Sequence, residues 1–308
     1  KDNNQSQMPA AGAKITAATD LGLLYINDDV TAEIRGGSSV DNQRQVAAVD
    51  EIQVTADNNT NFHASGNADA VGENVASMPQ NSIGVGAGLS ITRSNTTADI
   101  GSTAGGGAGF TEINQGSGIE INSQSRVNLS PEFSDKITAE AISGTASRKF
   151  SGAASLAVVH NQNSTEAFMG TSEIKESAEV GQVDIIADNK SRLAARATSG
   201  AGGGKIGIGG SVATLYTDNN YQAYLGADSN LNLGGLKLEA RNQKIDSNLS
   251  EYQNFDDLSL SSLIGEKNYF TQAVAGSIGG SGAVSGSLSY NYIADDTTSY
   301  IGNRSVVT

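Results

Sequence analysis

The sequence predicts an all-β fold in which repeated segments stack on one another as a parallel β-helix, also called a β-solenoid. Three observations predict it. The stretch from Ile83 to Gly101 alternates apolar with small or polar residues. Its last four residues, which we call the closing segment, have four further copies along the chain, and a second motif recurs between successive closing segments. Self-similarity at a long period is typical of stacked repeat architectures.

The alternating stretch has the period of two expected of a β-strand. Ile83, Val85, Ala87, Leu89 and Ile91 fall on one face, and glycine, serine and threonine fall on the other. The polar residues 93–96 are predicted to form a corner, after which residues 98–100 form a short strand that ends at Gly101.

The closing segments predict the register of the stack. They are separated by 66, 69, 56 and 76 residues along the chain. The five copies are Ala32–Arg35, Ala98–Gly101, Ala167–Gly170, Ala223–Gly226 and Ser299–Gly302. A column of mostly large side chains lies ten residues before the last residue of each copy: Tyr25, Ile91, His160, Tyr216 and Tyr292.

The second motif has a strand pattern followed by polar residues. Its four copies are Ile52–Asn58, Ile119–Ser125, Val183–Asn189 and Leu236–Asn242. Two motifs repeated in one phase indicate a single array over residues 1–308, cut from a longer chain, with units of roughly 14–80, 81–149, 150–204, 205–272 and 273–308.

The composition favours a thin core. The chain of 308 residues has 37 glycines, 5% aromatic residues and no tryptophan. Such a chain cannot fill a wide globular core, and we expect Ile, Val, Leu and Ala to stack between closely spaced sheets. If a coil consumes about 20 to 30 residues and rises about 4.8 Å, the chain makes roughly 10 to 15 coils.

One stretch does not follow the repeat. Residues 251–270 lack the alternation and place Leu260, Leu263 and Ile264 at helical spacing. We predict a short non-repetitive insertion here, helical in part, that is either a tolerated surface insertion or a place for partner-specific chemistry.

Charge and cysteine content exclude several classes of function. The formal net charge is −14, with 33 acidic against 19 basic residues, which makes nucleic acid an unfavourable partner. The absence of cysteine excludes disulfides, thiolate metal sites and cysteine nucleophiles. No stretch of 18 apolar residues marks a transmembrane helix.

No catalytic constellation stands out, and the sequence predicts a protein that is not an enzyme, with no catalytic or cofactor-binding residues. The only histidines are His63 and His160, and His160 occupies a column otherwise filled by large side chains. Carboxylates on outward positions, such as Glu33 and Asp99, become Phe168 in the next copy, which is typical of a surface and not of an active site.

Calcium is the one candidate cofactor, because acidic pairs occur at polar turns of the pattern. Its candidate ligands are Asp256, Asp257, Asp295 and Asp296. No complete calcium motif accompanies them, and a solvated acidic surface is the alternative.

The tyrosines predict a partner surface. They concentrate in the last third of the chain, where planar rings can bind a glycan or a protein. The residues concerned are Tyr216, Tyr221, Tyr224, Tyr290 and Tyr300, and packing at strand ends is the alternative role.

The repeats resemble those of very large exoproteins. Units such as GVGAGLSITRSNTTADIG and IGIGGSVATLYTDNNYQAYLG, followed by segments such as VDIIADN and LKLEARN, are similar to the repeats of filamentous haemagglutinin-like and leukotoxin-like exoproteins of Gram-negative bacteria. The resemblance implies a right-handed parallel β-helix that is secreted or displayed on the outer cell surface as an adhesin, filament or toxin stalk. It supplies no catalytic residue, and the secretion-recognition segment of the family is not recognisable here.

These observations leave three functional hypotheses. The first is a non-catalytic shaft that attaches to a glycan or protein on a host or neighbouring cell. The second is a β-helix protein that binds or processes glycans, and the third is an outer-membrane β-barrel. For the shaft, the small side chains at Gly84, Gly86, Gly88 and Ser90 predict a face where copies associate, with Gly86→Arg abolishing assembly but not the fold.

Overall fold

The structure is a computed structural model that describes residues 14–36, 44–46, 51–70, 78–102, 110–113, 126–129, 132–174, 181–243 and 269–308. These residues form β-strands and the connections between them, with no helix in the described ranges. The all-β prediction is therefore confirmed.

Seventeen strands follow one another in the described part of the chain. They are β1 (Ile15–Arg35), β2 (Arg44–Val46), β3 (Glu51–Val54), β4 (Asp57–Ala70), β5 (Asn81–Ser102), β6 (Phe110–Ile113), β7 (Arg126–Leu129), β8 (Glu132–Ser147), β9 (Phe150–Met169), β10 (Thr171–Ile174), β11 (Gln182–Gly203), β12 (Ile206–Leu225), β13 (Asn230–Leu231), β14 (Leu236–Gln243), β15 (Tyr269–Gly279), β16 (Gly282–Ile301) and β17 (Val306–Val307).

The strands form three sheets, and the strand pairs within them are parallel. The long sheet has the order β1-β5-β9-β12-β16, and the short sheet has the order β17-β13-β10-β6-β2. The third sheet faces the long sheet across the interior, and we call it the opposing sheet. Its strand β11 is continuous, whereas the layer on each side of β11 consists of two shorter strands, β7 and β8 on one side and β14 and β15 on the other. The chain visits the three sheets in the same order in each unit, an arrangement compatible with the predicted parallel β-helix.

The closing segments align as predicted. In the long sheet Ala32 pairs with Ala98, Ala98 with Ala167, and Ala167 with Ala223. The column of Tyr25, Ile91, His160, Tyr216 and Tyr292 is likewise a set of direct neighbours on adjacent strands. The repeats therefore stack in register over these residues, except that Arg35, the last residue of the first closing segment, pairs with Ser102 instead of Gly101.

The second motif aligns only in part. Val183 pairs with Leu236, as predicted. Ile52, however, pairs with Val127, and Val127 occupies the column that the sequence assigned to Ile119. The assignment of Ile119 is therefore wrong, and Val127 was not recognised because the segment after it lacks the Ala-x-Asn ending of the other copies. Residues 119–125 themselves lie outside the described residues.

The strands are much longer than the alternation predicted. The expected corner at residues 93–96 is wrong, because β5 runs through it without interruption for 22 residues. Each layer of the stack, meaning the strands that one unit contributes, therefore takes 56 to 76 residues instead of the expected 20 to 30. Five layers at about 4.8 Å each make the long sheet about 24 Å wide, while its strands of 20 residues extend about 66 Å.

In the long sheet the aliphatic positions of the alternating pattern face outward and the glycine positions face inward, the opposite of what the aliphatic pattern suggests. Gly84, Gly86 and Gly88 point into the molecule and are buried. The alternating aliphatic residues point outward, and Ile83 and Val85 remain 46% and 42% exposed in a strand that has a neighbour on each side. At this end of the strands, the interior is built from glycine, serine and alanine.

Glycine is required there because the two large sheets meet backbone to backbone. A β-carbon on Gly86 would overlap the carbonyl oxygen of Ile142, and one on Gly88 would overlap that of Glu140. Serine hydroxyls fill the remaining space, and the Ser211 hydroxyl donates to the Ser199 hydroxyl at 2.9 Å. The small side chains of this glycine-serine face were expected to admit another sheet or a second copy, and it is another sheet that packs there. The prediction that copies associate through this face is therefore wrong, and so is the prediction that Gly86→Arg leaves the fold intact, because Gly86 lies against backbone.

Farther along the strands the sheets separate, and two hydrophobic clusters fill the space. One contains Ile137, Val159, Leu193 and Leu215. The other lies towards the closing segments and contains Ile100, Met169, Val183, Ile185 and Leu225. Between them lies a band of buried asparagine, serine and threonine side chains.

The insertion interrupts the opposing sheet in its outermost layer. Gln243 pairs with Lys190, and Tyr269 pairs with Leu193, so the described strands β14 and β15 of this layer are separated by only two residues of β11. Residues 251–268 of the predicted insertion lie outside the described residues. The last two residues of that prediction, Tyr269 and Phe270, instead begin β15.

A pair of glycine substitutions tests the close approach of the sheets. Gly86→Ala introduces a methyl group against backbone that cannot move aside, and overpacking of this kind costs about 1 to 3 kcal/mol in free energy of unfolding. Gly210→Ala in β12 meets nothing within 4 Å and is expected to leave stability unchanged or to raise it by about 0.5 kcal/mol. Chemical denaturation of both variants measures the difference, and equal stabilities would contradict the packing.

Candidate functional site

Aromatic rings form two columns on the outer face of the long sheet. Tyr216 and Tyr292 stack with centroids 4.8 Å apart and planes 9° from parallel, and His160 meets Tyr216 edge to face at 4.8 Å. The second column consists of Phe168, Tyr224 and Tyr300, with centroid distances of 5.0 and 4.9 Å. The parallel register produces these columns because it places equivalent residues on adjacent strands.

Stacking limits what these rings can bind. Sugar rings bind to the flat faces of aromatic side chains, but here the faces are covered by the ring of the next layer. Of the predicted partner surface, Tyr216 and Tyr224 therefore mainly pack within their columns, in keeping with the alternative role. Within the described residues, Tyr300 ends its column, and Tyr290 is 55% exposed on the same face.

Tyr221 does not belong to the surface. Its side chain is completely buried, because odd-numbered residues of β12 point inward while Tyr216 and Tyr224 point outward. Burial raises the pKa of its phenol far above the ordinary value of a tyrosine. The prediction that Tyr221 presents its ring to a partner is therefore wrong.

The buried polar band is an asparagine ladder that crosses the layers. The Asn219 amide donates to Thr217 Oγ1 at 2.5 Å and to Asp295 Oδ1 at 2.7 Å. Its own oxygen accepts hydrogen bonds from the Asn161 amide and from the Asn163 backbone N–H, each at 3.2 Å. One side chain thus joins three consecutive layers.

The ladder also connects the two large sheets. The Asn58 amide donates to the Ser94 hydroxyl at 2.7 Å, across the interior. In the opposing sheet the Asn189 amide donates to Asn242 Oδ1 at 3.0 Å. Asn242 in turn donates to Asp295 Oδ2 at 2.9 Å, so both sheets meet at one carboxylate.

Asp295 is the terminal acceptor of this ladder. Its Oδ1 accepts from Asn219, and its Oδ2 accepts from Asn242 and from the Tyr269 hydroxyl, the last at 2.9 Å. Burial and the neighbouring Asp295 carboxylate raise the pKa of Tyr269 to about 12. The phenol is therefore kept protonated and remains a donor to Asp295 over the physiological range of pH.

The calcium candidates are not brought together. Asp295 points inward and is engaged by three donors, whereas Asp296 points outward because neighbouring strand residues face opposite sides of a sheet. The two carboxylates therefore cannot chelate one ion. Asp256 and Asp257 lie outside the described residues, and within the described ranges no group of three or more His, Cys, Asp or Glu is placed to hold a metal.

The histidines occupy structural positions. His63 lies on the outer face of the opposing sheet, where its Nδ1 is 2.7 Å from the Thr138 hydroxyl of the next strand. His160 packs against Tyr216 in the column that the sequence predicted for it.

Stacking in register predicts hydrogen bonds between polar side chains of successive layers, and the bonds of Asn219 to Asn161 and Asp295 agree with this. The burial of these side chains in a ladder that also connects the two large sheets was not predicted, although a signal was present. Three copies of the second motif end in asparagine, at Asn58, Asn189 and Asn242. Asn161 and Asn219 add to it from the long sheet. A polar residue that recurs at one position of a repeat, opposite another such column, indicates a buried hydrogen-bonded ladder.

Comparisons with family models, with curated proteins and with solved structures found no match to this chain. The residues, their register and their contacts are therefore the basis for a functional assignment. No helix among the described ranges has the length and apolarity needed to cross a membrane.

Substitution of Asn219 tests the ladder. Asn219→Ala leaves the Asn161 amide and the Asn163 N–H without their acceptor in a buried site, which costs about 1 to 3 kcal/mol for each orphaned group. The neighbouring variant Asn220→Ala changes an outward residue and is expected to stay within about 0.5 kcal/mol of the parent. Urea denaturation measures the free energy of unfolding of the two variants. A similar decrease in both would contradict a stabilising role of the ladder.

The buried tyrosines predict a loss of stability in alkali. Tyrosine ionises near pH 10 when unfolded, whereas burial holds the Tyr221 pKa far higher and the Tyr269 pKa at about 12. The unfolded state therefore releases protons first, and the free energy of unfolding falls as pH rises above about 10. Tyr221→Phe should reduce this fall, whereas Tyr290→Phe on the outer face should not. Denaturation curves between pH 8 and pH 12 provide the measurement.

Proposed function

We propose that the chain is a non-catalytic structural shaft, coiled as a right-handed parallel β-helix and belonging to a secreted or surface-displayed bacterial exoprotein. The observation that carries this proposal is the constant register of the long sheet. Twenty residues of each unit pair without a break with the equivalent residues of the next unit across β9, β12 and β16. Such pairing builds a rigid, extended element that can serve as a structural support.

The side chains inside the stack support a structural role. The hydrophobic clusters, the asparagine ladder and the glycine contacts each connect one layer to the next or one sheet to the other. Asp295, the carboxylate with the most donors in this network, ends the ladder and is committed to hydrogen bonds. The polar side chains of the ladder therefore form hydrogen bonds between layers and are not available to bind a substrate.

The proposed activity is attachment to a glycan or protein of a host or neighbouring cell, at the extracellular side. Exposed tyrosines at the outer layer support it, because a phenol offers both apolar area and a hydrogen-bonding hydroxyl. Tyr290 and Tyr300 are 55% and 44% exposed there. The resemblance of the repeats to those of large exoproteins agrees with this function.

A binding assay tests the proposal. The purified protein is immobilised and probed with cultured epithelial cells and with a panel of neutral, sulfated and uronic glycans. Attachment should fall about tenfold, or about 1.4 kcal/mol, in the double variant Tyr290→Ser/Tyr300→Ser. It should be unchanged in Ile278→Ser, which alters an even more exposed apolar side chain on the opposing sheet.

Two results would contradict the proposal. One is binding to none of the cells or glycans by the unaltered protein. The other is turnover of any polysaccharide in the panel, since a shaft performs no chemistry, and turnover would favour the glycan-processing alternative.

A further inference from the structure

An uncharged apolar area covers half of the outer face of the long sheet. We call it the outer apolar face and define it as the outward positions within residues 15–25, 81–91, 150–160, 206–216 and 282–292, which are aligned by the strand register. None of these positions carries Asp, Glu, Lys or Arg, although such residues make up 17% of the chain. The charges of this sheet face, such as Arg93, Glu166, Asp218 and Asp296, lie beyond it along the strands.

The apolar side chains are exposed within the stack and not only at its edges. In strands that are paired on both sides, Ile83, Leu156 and Ile208 remain 46%, 40% and 44% exposed. Monomeric proteins rarely expose contiguous apolar patches of more than a few hundred Å². This face is therefore expected to be covered.

A shallow groove crosses the face along the stacking direction. Its floor is formed by small residues in successive layers, Ala154, Gly210 and Gly286, and the next row provides a ridge that includes Leu156, Val212 and Leu288. The groove encloses about 600 Å³. A ridge beside a groove on a flat sheet is the shape that lets one sheet pack against another.

The size of the face suits a second protein chain. Five strands at about 4.8 Å and eleven residues at about 3.3 Å give an area of about 24 by 36 Å, close to about 850 Å². A stable protein interface buries about 800 Å² on each partner. The outer apolar face is thus large enough by itself for a stable pair.

Charge favours a second copy as the occupant. The chain has a net charge of −14, so two copies repel each other through most of their surfaces. Contact through the outer apolar face brings no charged side chains of the two copies together, and the ridge of one copy can occupy the groove of the other when a two-fold axis relates them. We propose that two copies of this protein associate face to face through the outer apolar face.

This inference goes beyond the proposed attachment function and does not depend on it. The earlier prediction of lateral assembly placed the contact on the glycine-serine face, which is buried inside the molecule. The present surface lies on the opposite side of the same strands. It gives the shaft a paired form that covers Tyr290, which lies within the outer apolar face, and leaves Tyr300, which lies beyond the contact, accessible.

Two glycines offer a matched test. Gly210 lies in the groove of the outer apolar face, and Gly200 lies on the outer face of the opposing sheet. A β-carbon at either position would meet nothing within 4 Å, so we expect the fold to accommodate both Gly210→Arg and Gly200→Arg. Sedimentation equilibrium should find dimers for the parent and for Gly200→Arg, and a dissociation constant at least about tenfold weaker for Gly210→Arg.

Cysteine cross-linking tests the orientation, because the chain has no cysteine of its own. With a short bismaleimide cross-linker, which spans the separation of about 10 Å between packed sheets, Gly210→Cys should form covalent dimers, whereas Gly200→Cys should run as a monomer on a denaturing gel. Far-UV circular dichroism confirms that each variant is folded.

Three outcomes would overturn the proposal. They are a parent protein that is monomeric at all concentrations up to the millimolar range, a dimer that Gly210→Arg leaves unchanged, and a monomer that co-floats with phosphatidylcholine vesicles through this face. The last outcome would identify lipid, and not a second copy, as the occupant.

Discussion

In-register parallel pairing of the long strands is the constraint on which the rest of the structure depends. Because side chains alternate between the two faces of a strand, a shift of one residue between layers would exchange the interior with the exterior. The interior is not uniform along the strands, since a glycine contact, a hydrophobic cluster, an asparagine ladder and a second cluster follow one another. A shift of two residues between β9 and β12 would, for example, set the amide of Asn161 against the aliphatic side chain of Leu215. Packing and hydrogen bonding thus favour one register.

The glycine contact also explains the unusual exterior. Where two sheets touch backbone to backbone, the inward positions must be small, and the large aliphatic residues of the same strands can only point outward. Gly86 is buried against Ile142, while its neighbour Val85 remains exposed. One structural requirement therefore produces both a thin interior and an apolar outer face, which connects the fold to the proposed pairing of copies.

Much of the fold was predictable from the sequence, and the failures have physical causes. Alternation identified the strands, and the closing segments identified their partners, because equivalent residues stack directly in a parallel array. Periodicity of two separates two faces but does not say which one is inside, so the glycine face was assigned to assembly and Tyr221 to the surface. The polar residues 93–96 suggested a corner, whereas hydrogen bonds between layers keep such residues inside a continuous strand. At the candidate site, the column that contains His160, Tyr216 and Tyr292 was recognisable as a sequence repeat. The ladder that ends at Asp295 joins polar side chains of the long sheet to those of the opposing sheet, and the sequence does not show that these two sets face each other.

Electron paramagnetic resonance with paired spin labels tests the stacking of equivalent residues most directly. Gly200 and Gly276 are register partners 76 residues apart, on the outer face of the opposing sheet, and both have room for a side chain. Labels attached to the double variant Gly200→Cys/Gly276→Cys should show strong dipolar broadening, because adjacent strands lie about 4.8 Å apart. Each single variant, and the pair Gly200→Cys/Gly210→Cys on opposite sheets, should lack it. A double-variant spectrum equal to the sum of the two single spectra would contradict the account.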